Sequence, residues 1–236
     1  MTIVDGAREI GRALEANVEV AESFVCDDLI RSAEARSVVA RLEETGAPLV
    51  RVSVQVMTKL AFGDRADGAV AIVRPPSVRL DDLTLPPNPL VVIIEAVEKP
   101  GNLGAILRTA DGAGVAAVIA ADALTDVFNP NAIRASLGTI FRVPVAVGAS
   151  TEILDWLARH AIRPIAARVD APTNYADVDL RGSLAIVLGA EATGLTATWS
   201  GQQVTPVRIP MLGGGDSLNV SVAAAILLYE AVRQRT

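Results

Sequence analysis

Cysteine is nearly absent from this 236-residue chain, and the absence excludes whole classes of small protein. The single Cys26 can close no internal disulfide and build no cysteine-based metal cluster, and its apolar flank of Phe24 and Val25 marks a buried small residue rather than a nucleophile. Histidine is equally scarce. His160 stands alone near the end of a predicted helix, and without an acidic cluster at ligand spacing a metal site has no support. Lysine is confined to Lys59 and Lys99, so arginine makes up the rest of the 21 basic residues. Arginine forks suit bidentate phosphate recognition, although genome composition raises arginine as well. The longest apolar runs, 90–94 and 223–228, fall far short of the ~20 residues that span a bilayer. The opening Met1-Thr2-Ile3-Val4-Asp5 carries no basic region followed by an apolar core, so a cytoplasmic location is expected. A net charge of −6 argues against coating nucleic acid by bulk attraction and leaves room for local basic patches.

What is present is a chain with 51% hydrophobic residues, ample for a real core. Periodicity predicts a helix over 4–17, a strand at 23–26, a helix over 29–45, a strand at 49–52, a short helix over 53–62 and a strand at 69–73. That is a small α/β domain over 1–83. Residues 84–89, with Pro86, Pro87 and Pro89, form a stiff connector. Beyond it, 90–97 reads as a continuous apolar strand of a parallel sheet. Helices are predicted over 102–113, 131–137 and 153–161, and strands at 115–121, 143–147, 164–169, 184–188 and 207–210. A last helix follows, with Ser217 as its cap and Leu218, Val222, Ala225, Ile226, Tyr229 and Val232 recurring at helical spacing. The region 90–236 is thus a second, larger α/β domain with a mostly parallel sheet.

Three clusters sit at strand ends of this second domain, where open α/β sheets place ligands. The first contains Asn102, Gly104, Arg108 and Thr109. Taken alone it is equally an N-cap followed by a surface arginine. The second, Gly189-Ala190-Glu191-Ala192-Thr193-Gly194, sets a carboxylate between glycines at the end of a buried strand, where a plain turn is the competing reading. The third runs from Ile209-Pro210-Met211 through Gly213-Gly214-Gly215 to Ser217-Leu218-Asn219-Val220-Ser221. Its three glycines are expected to let bare backbone approach a small ligand.

In order and separation these clusters resemble the three motifs of the SpoU group of RNA 2′-O-ribose methyltransferases in the SPOUT superfamily. Asn102-x-Gly104-x-x-x-Arg108-Thr109 matches the first, Gly189-x-Glu191-x-x-Gly194 the second, and 209–221 the third; Arg134-Ala-Ser136-x-Gly138 with Phe141-Arg142-x-Pro144 looks like the family's intervening segment. The resemblance implies a sheet whose C-terminal part threads into a deep trefoil knot, an exception to the rule against knots. It implies S-adenosyl-L-methionine as methyl donor, held by Leu188, Gly189, Ile209, Pro210, Met211, Ser217, Leu218 and Asn219. It implies Arg108 as the residue nearest the reaction, with Asn102, Glu191, Ser217 and Asn219 orienting it and the ribose. A homodimer is implied too, with no membrane partner. The first domain looks like the family's small RNA substrate-binding domain, and RNA contact is expected at Lys59, Arg65, Arg74, Arg79, Arg134 and Arg142, on structured rRNA or tRNA. Two other functions compete. One is a catalytically silent RNA-binding or ribosome-assembly factor with the same fold. The other is a nicotinamide-dependent oxidoreductase, against which the missing Gly-x-Gly-x-x-Gly fingerprint argues.

Overall fold

Residues 2–5 already show how pairing overrides local pattern. The computed structural model, which describes residues 1–62, 67–190 and 193–236, begins with β1 (Thr2–Asp5) and only then enters α1 (Ala7–Glu15). The helix expected over 4–17 is therefore shorter, because β1 pairs antiparallel with the strand over Ala69–Arg74, and Gly6, at φ 105°, breaks the chain between strand and helix. After β2 (Glu19–Val25) come α2 (Ala33–Glu44), β3 (Leu49–Arg51), α3 (Val54–Leu60) and β4 (Ala69–Arg74). Ser32 and Ser53 cap α2 and α3 by accepting from Ala35 N at 3.0 Å and Val56 N at 3.4 Å. The sheet order is β1-β4-β2-β3, with β2–β3 its parallel pair. Cys26 is buried beside Met57 and Val70, as its flank suggested.

The second sheet is built from β5 (Leu90–Glu95), then, after α4 (Pro100–Gly112), β6 (Ala117–Ala121). The chain continues through α5 (Pro130–Ala135), β7 (Val145–Gly148), α6 (Ser150–Arg159), β8 (Arg163–Ala167), β9 (Leu184–Leu188), β10 (Thr205–Val207) and α7 (Val220–Arg235). Its six strands lie in the order β10-β8-β9-β5-β6-β7, all parallel. Every residue of β5, β6 and β9 is buried, which is why these strands read as unbroken apolar runs instead of alternating ones. β10, three residues long and containing Pro206, closes one edge where a strand with a missing donor is tolerated. Trp156 of α6 and Trp199 pack with Ile93, Ile119 and Val187 into the core.

Two expectations about the last helix change. Its cap is Asn219, whose Oδ1 accepts from Ser221 N at 2.9 Å, and Ser217 lies outside it. Its buried stripe is Val220, Ala224, Leu227, Leu228 and Ala231, whereas Val222 and Tyr229 are 47% and 53% exposed. A helix that is apolar nearly all round leaves the choice of face to packing, here against α4 and β9.

The described chain divides into two compact units. One is Met1–Pro76 with Phe128–Arg142; the other is Ser77–Val127 with Val143–Thr236. The proline-rich 84–89 stretch lies inside the second unit. In the first, Thr2 Oγ1 donates to Phe128 O at 2.7 Å and Arg12 Nη1 to Leu137 O at 2.7 Å, fastening the 128–142 segment to β1 and α1. Gly138, at φ 81°, lets that segment come close, since a Cβ there would lie 3.1 Å from Glu9 Cα. Among the described residues no helix is long and apolar enough to cross a membrane.

Candidate active site

Parallel strands aim their carboxyl ends the same way, so the loops leaving β8, β9 and β10 gather at one edge of the second unit's sheet. Between them and the start of α7 lies a cavity of about 530 Å³, within the range of small-molecule sites. Leu188, Gly189, Ile209, Met211, Ser217 and Leu218, six of the residues expected to hold the cofactor, line it; Pro210 and Asn219 do not. Ala167, Arg168, Val169 and Asp170, leaving β8, line it too and were assigned no role from sequence. Their place at the carboxyl end of the strand predicted over 164–169 was the available signal.

Glycine matters here at a different place from the one expected. Gly213, Gly214 and Gly215 line no part of the cavity, and a Cβ at Gly213 or Gly214 would meet nothing within 4 Å. At Gly189 a Cβ would sit 2.3 Å from the carbonyl carbon of Gly194, because the loop doubles back through Gly194 N→Ala190 O at 2.9 Å. Only a residue without a side chain fits that crossing. The loop therefore presents main chain to the cavity, which suits hydrogen bonding to a ligand without bulk.

Behind the loop stands a residue the sequence reading passed over. Glu95, 1% exposed at the end of β5, has Thr196 N at 2.8 Å, Thr196 Oγ1 at 2.7 Å, Trp199 Nε1 at 2.9 Å and Ser150 Oγ at 2.8 Å around its carboxylate. The donors from Thr196 and Trp199 tie the end of the 189–196 loop and the following turn to the sheet. A lone acid closing an otherwise apolar strand was the clue: burial of a carboxylate requires such donors.

Asn102 lies in the first turn of α4, after Pro100 at a position that needs no backbone donor. Its Oδ1 accepts from Asn219 Nδ2 at 3.2 Å, so the first and third motifs meet across 117 residues of chain. Asn219 Oδ1 also accepts from Ser221 Oγ at 2.6 Å. Arg108 is exposed on α4 and makes no hydrogen bond or ion pair with a described residue. Glu191 and Arg65 lie outside the described residues. In the cavity wall Arg168 Nε is 3.2 Å from Asp170 Oδ1 and its Nη1 donates to Ser200 Oγ at 3.1 Å. Asp216 adds a second carboxylate to the lining. Among the described residues the site thus combines apolar walls, a close main-chain crossing and a slight excess of negative charge, a setting for a cationic, nucleoside-sized ligand. Among the described residues no group of three or more metal-ligating side chains converges.

The described residues expected to meet RNA belong to different elements, Arg79 in the second unit and the others in the first. Lys59 is exposed in the last turn of α3, Arg74 pairs with Glu19 at 2.9 Å, and Arg79 with Asp81 at 3.7 Å. Arg134, half-buried, lies 3.7 Å from Asp5, and Arg142 is exposed. His160 ends α6 with Nδ1 2.8 Å from Trp156 O and its ring 4.5 Å from the Trp156 ring, a helix-terminal packing residue outside the cavity lining.

Known proteins resemble this chain in sequence and fold. The 23S rRNA (guanosine-2′-O-)-methyltransferase RlmB of Xylella fastidiosa (strain 9a5c) is 35% identical over 95% of this chain and 94% of its own length. A solved RNA 2′-O ribose methyltransferase superposes with a TM-score of 0.85 at 40% identity, covering 98% of this chain and 88% of that one. The SpoU methyltransferase AviRb from Streptomyces viridochromogenes, solved in complex with the cofactor AdoMet, reaches a TM-score of 0.89 at 29% identity, covering 98% and 89%. Residues 89–229 match the SpoU rRNA Methylase family, and with likeness running along nearly the whole length of such relatives, the chain belongs to that family.

Proposed function

We propose that this protein transfers the methyl group of S-adenosyl-L-methionine to a ribose 2′-hydroxyl of structured RNA, with ribosomal RNA as its substrate. The observation that carries the reading is the convergence of separated motifs: loops after β9 and β10 wall one cavity, and Asn219 on α7 bonds to Asn102 on α4. Relatives named as 23S rRNA 2′-O-methyltransferases and a neighbour holding AdoMet support both substrate and cofactor.

The cofactor supplies an electrophilic methyl on a sulfonium. Main-chain groups around Leu188, Gly189 and Leu218 are proposed to hold its adenosine, and Asp170 or Asp216 to favour its positive charge. The acceptor hydroxyl is a poor nucleophile and must lose a proton. Arginine almost never gives up its own, so Arg108 is assigned to the neighbouring RNA phosphate, where its charge lowers the hydroxyl's pKa. Asn102 and Asn219, bonded to one another, Ser217 at the cavity wall and Glu191 are assigned to orientation of Arg108 and the ribose. The same reading takes Lys59, Arg65, Arg74, Arg79, Arg134 and Arg142 as RNA contacts and residues 1–83 as a substrate-binding domain. It places the protein in the cytoplasm with its rRNA. It also extends to this chain the family's trefoil knot and a homodimer formed through the exposed apolar face of α7, which carries Val222 and Tyr229.

Arg108→Ala is the deciding variant. Tritium transfer from labelled cofactor to unmodified rRNA should fall at least about 100-fold, while calorimetry still detects cofactor binding. Full transfer by that variant would refute the role.

A further inference from the structure

The first unit contains a groove that the three motifs leave unused and that takes Arg142 from the intervening segment. It runs between α1 and α2, encloses about 390 Å³, and gathers Arg8, Arg12, Arg41 and Arg142. Gly11 permits it: α2 packs so near that Val38 Cγ2 would be 3.4 Å from a Cβ at that position, and Arg41 Nη1 reaches Gly11 O at 3.4 Å. Arg12 is held likewise, with Nη1 on Leu137 O at 2.7 Å. In each case one nitrogen of the fork is anchored on a carbonyl, which fixes the plane of the guanidinium and leaves its other nitrogens for an external acceptor. Arg8, one turn before Arg12, is exposed and makes no hydrogen bond or ion pair with a described residue. The acids in the wall, Glu15 and Glu34, are fewer than the arginines, and Glu15 approaches Arg41 only to 3.9 Å. In a protein with net charge −6, four arginines converging on one groove is a concentration of positive charge that folding brings together.

We infer that this groove is a phosphate-binding site for the sugar–phosphate backbone of the RNA substrate. The inference rests on the RNA methyltransferase reading given above. Pre-oriented guanidinium forks match phosphate oxygens in pairs, whereas a lysine surface would present mobile point charges. Phosphate contacts carry no sequence information; they set register, so the groove positions the RNA while other groups choose the nucleotide. Arg12 and Arg142 draw on the 128–142 segment, one through its bond to Leu137 O and the other by belonging to it, so the site exists only where that segment joins the first unit.

The test uses the full chain and an unmodified 23S rRNA transcript, with affinity measured across a salt series. Arg8→Ala and Arg41→Ala should each weaken binding about tenfold and reduce the slope of log affinity against log salt by about one. Arg181→Ala, an exposed arginine of the second unit, should leave both unchanged, and cofactor affinity by calorimetry should be unaltered in all three. Arg8 makes no hydrogen bond or ion pair with a described residue and acts on Glu9 only through its charge, so its variant decides the matter even if Arg41→Ala unfolds. Wild-type affinity and slope in Arg8→Ala overturn the site, as does an equal loss in Arg181→Ala. Tritium transfer by the wild-type protein to the same transcript separates the two readings. Transfer with unchanged affinity in the groove variants removes the groove alone. Groove-dependent affinity without transfer removes the enzyme and leaves the groove.

Discussion

A carboxylate buried at the end of an apolar strand is tolerable only if its oxygens are met, and Glu95 meets that demand with donors from three side chains and one main-chain N–H. Glutamine in its place would turn an amide NH₂ toward one set of these donors and leave some unpaired. Glu95→Gln should lose about 3 kcal/mol in urea unfolding and weaken cofactor binding, because Thr196 and Trp199 hold the wall of the cavity through it. Stability within about 0.5 kcal/mol of wild type would contradict this account. The contrast among glycines belongs to the same scale. The run Gly213–Gly215 catches the eye in the sequence, yet the isolated Gly189 is where the fold forbids a side chain.

Among the elements, α7 shows how a helix end can be secured without a glycine cap. Gln234 Nε2 donates to Val178 O at 3.1 Å and its Oε1 accepts from Leu180 N at 2.8 Å; Arg235 donates to Leu180 O at 3.1 Å and Asn88 O at 2.9 Å. Leu180 is fully buried, so its N–H has no water to turn to. Gln234→Ala should therefore cost about 1–3 kcal/mol and raise the exchange rate of the Leu180 amide, measured by hydrogen exchange. An unchanged amide rate would show that the clamp is superfluous. Because this helix also carries Asn219 at its other end, its anchorage bears on the cavity as much as on stability.

At the scale of the whole molecule, two carboxyls of the first unit and two of the second answer acid in opposite senses. Burial raises the carboxyls of Asp5 and Glu9 in the first unit, only partly opposed by the Phe62 amide and Arg134 at Asp5, and by its own amide and Arg8 at Glu9. Raised folded values mean that the native state holds its protons more tightly, so stability falls as pH rises from the unfolded values of 3.8 and 4.5 through the raised ones. In the second unit Arg233 and then Gln234 pull Glu230 down to about 2, and Arg181 does the same for Asp179. Their contribution is present above 4.5 and 3.8 and is lost as pH falls toward 2. Both tryptophans, Trp156 and Trp199, lie in the second unit, so their fluorescence reports that unit. The urea midpoint followed by fluorescence should drop between pH 5 and pH 2. Glu9→Gln should leave it in place while flattening the pH dependence of the remaining circular-dichroism transition above pH 4.5. A shift of the fluorescence midpoint in that variant would disprove the division of roles.

Much of this protein was legible before its fold was known. The unbroken apolar run at β5 read as a buried strand of a parallel sheet and those at β6 and β9 as strands, because that signal depends on neighbours within a few residues. The clusters around Asn102, Arg108, Gly189, Gly194 and Asn219 were each ambiguous alone and stood out only through the family resemblance of their order and separation. Other features depend on where distant chain comes to rest. That Thr2–Asp5 is a strand, that 128–142 belongs with the first unit, that α7 buries one apolar stripe and leaves another, and that Glu95 holds a loop were all decided by contacts spanning up to 126 residues, as at Thr2 and Phe128. Local periodicity reports the preference of a segment for helix or strand. Which side it buries, and which donors reach a buried charge, is set by the partner that tertiary structure supplies.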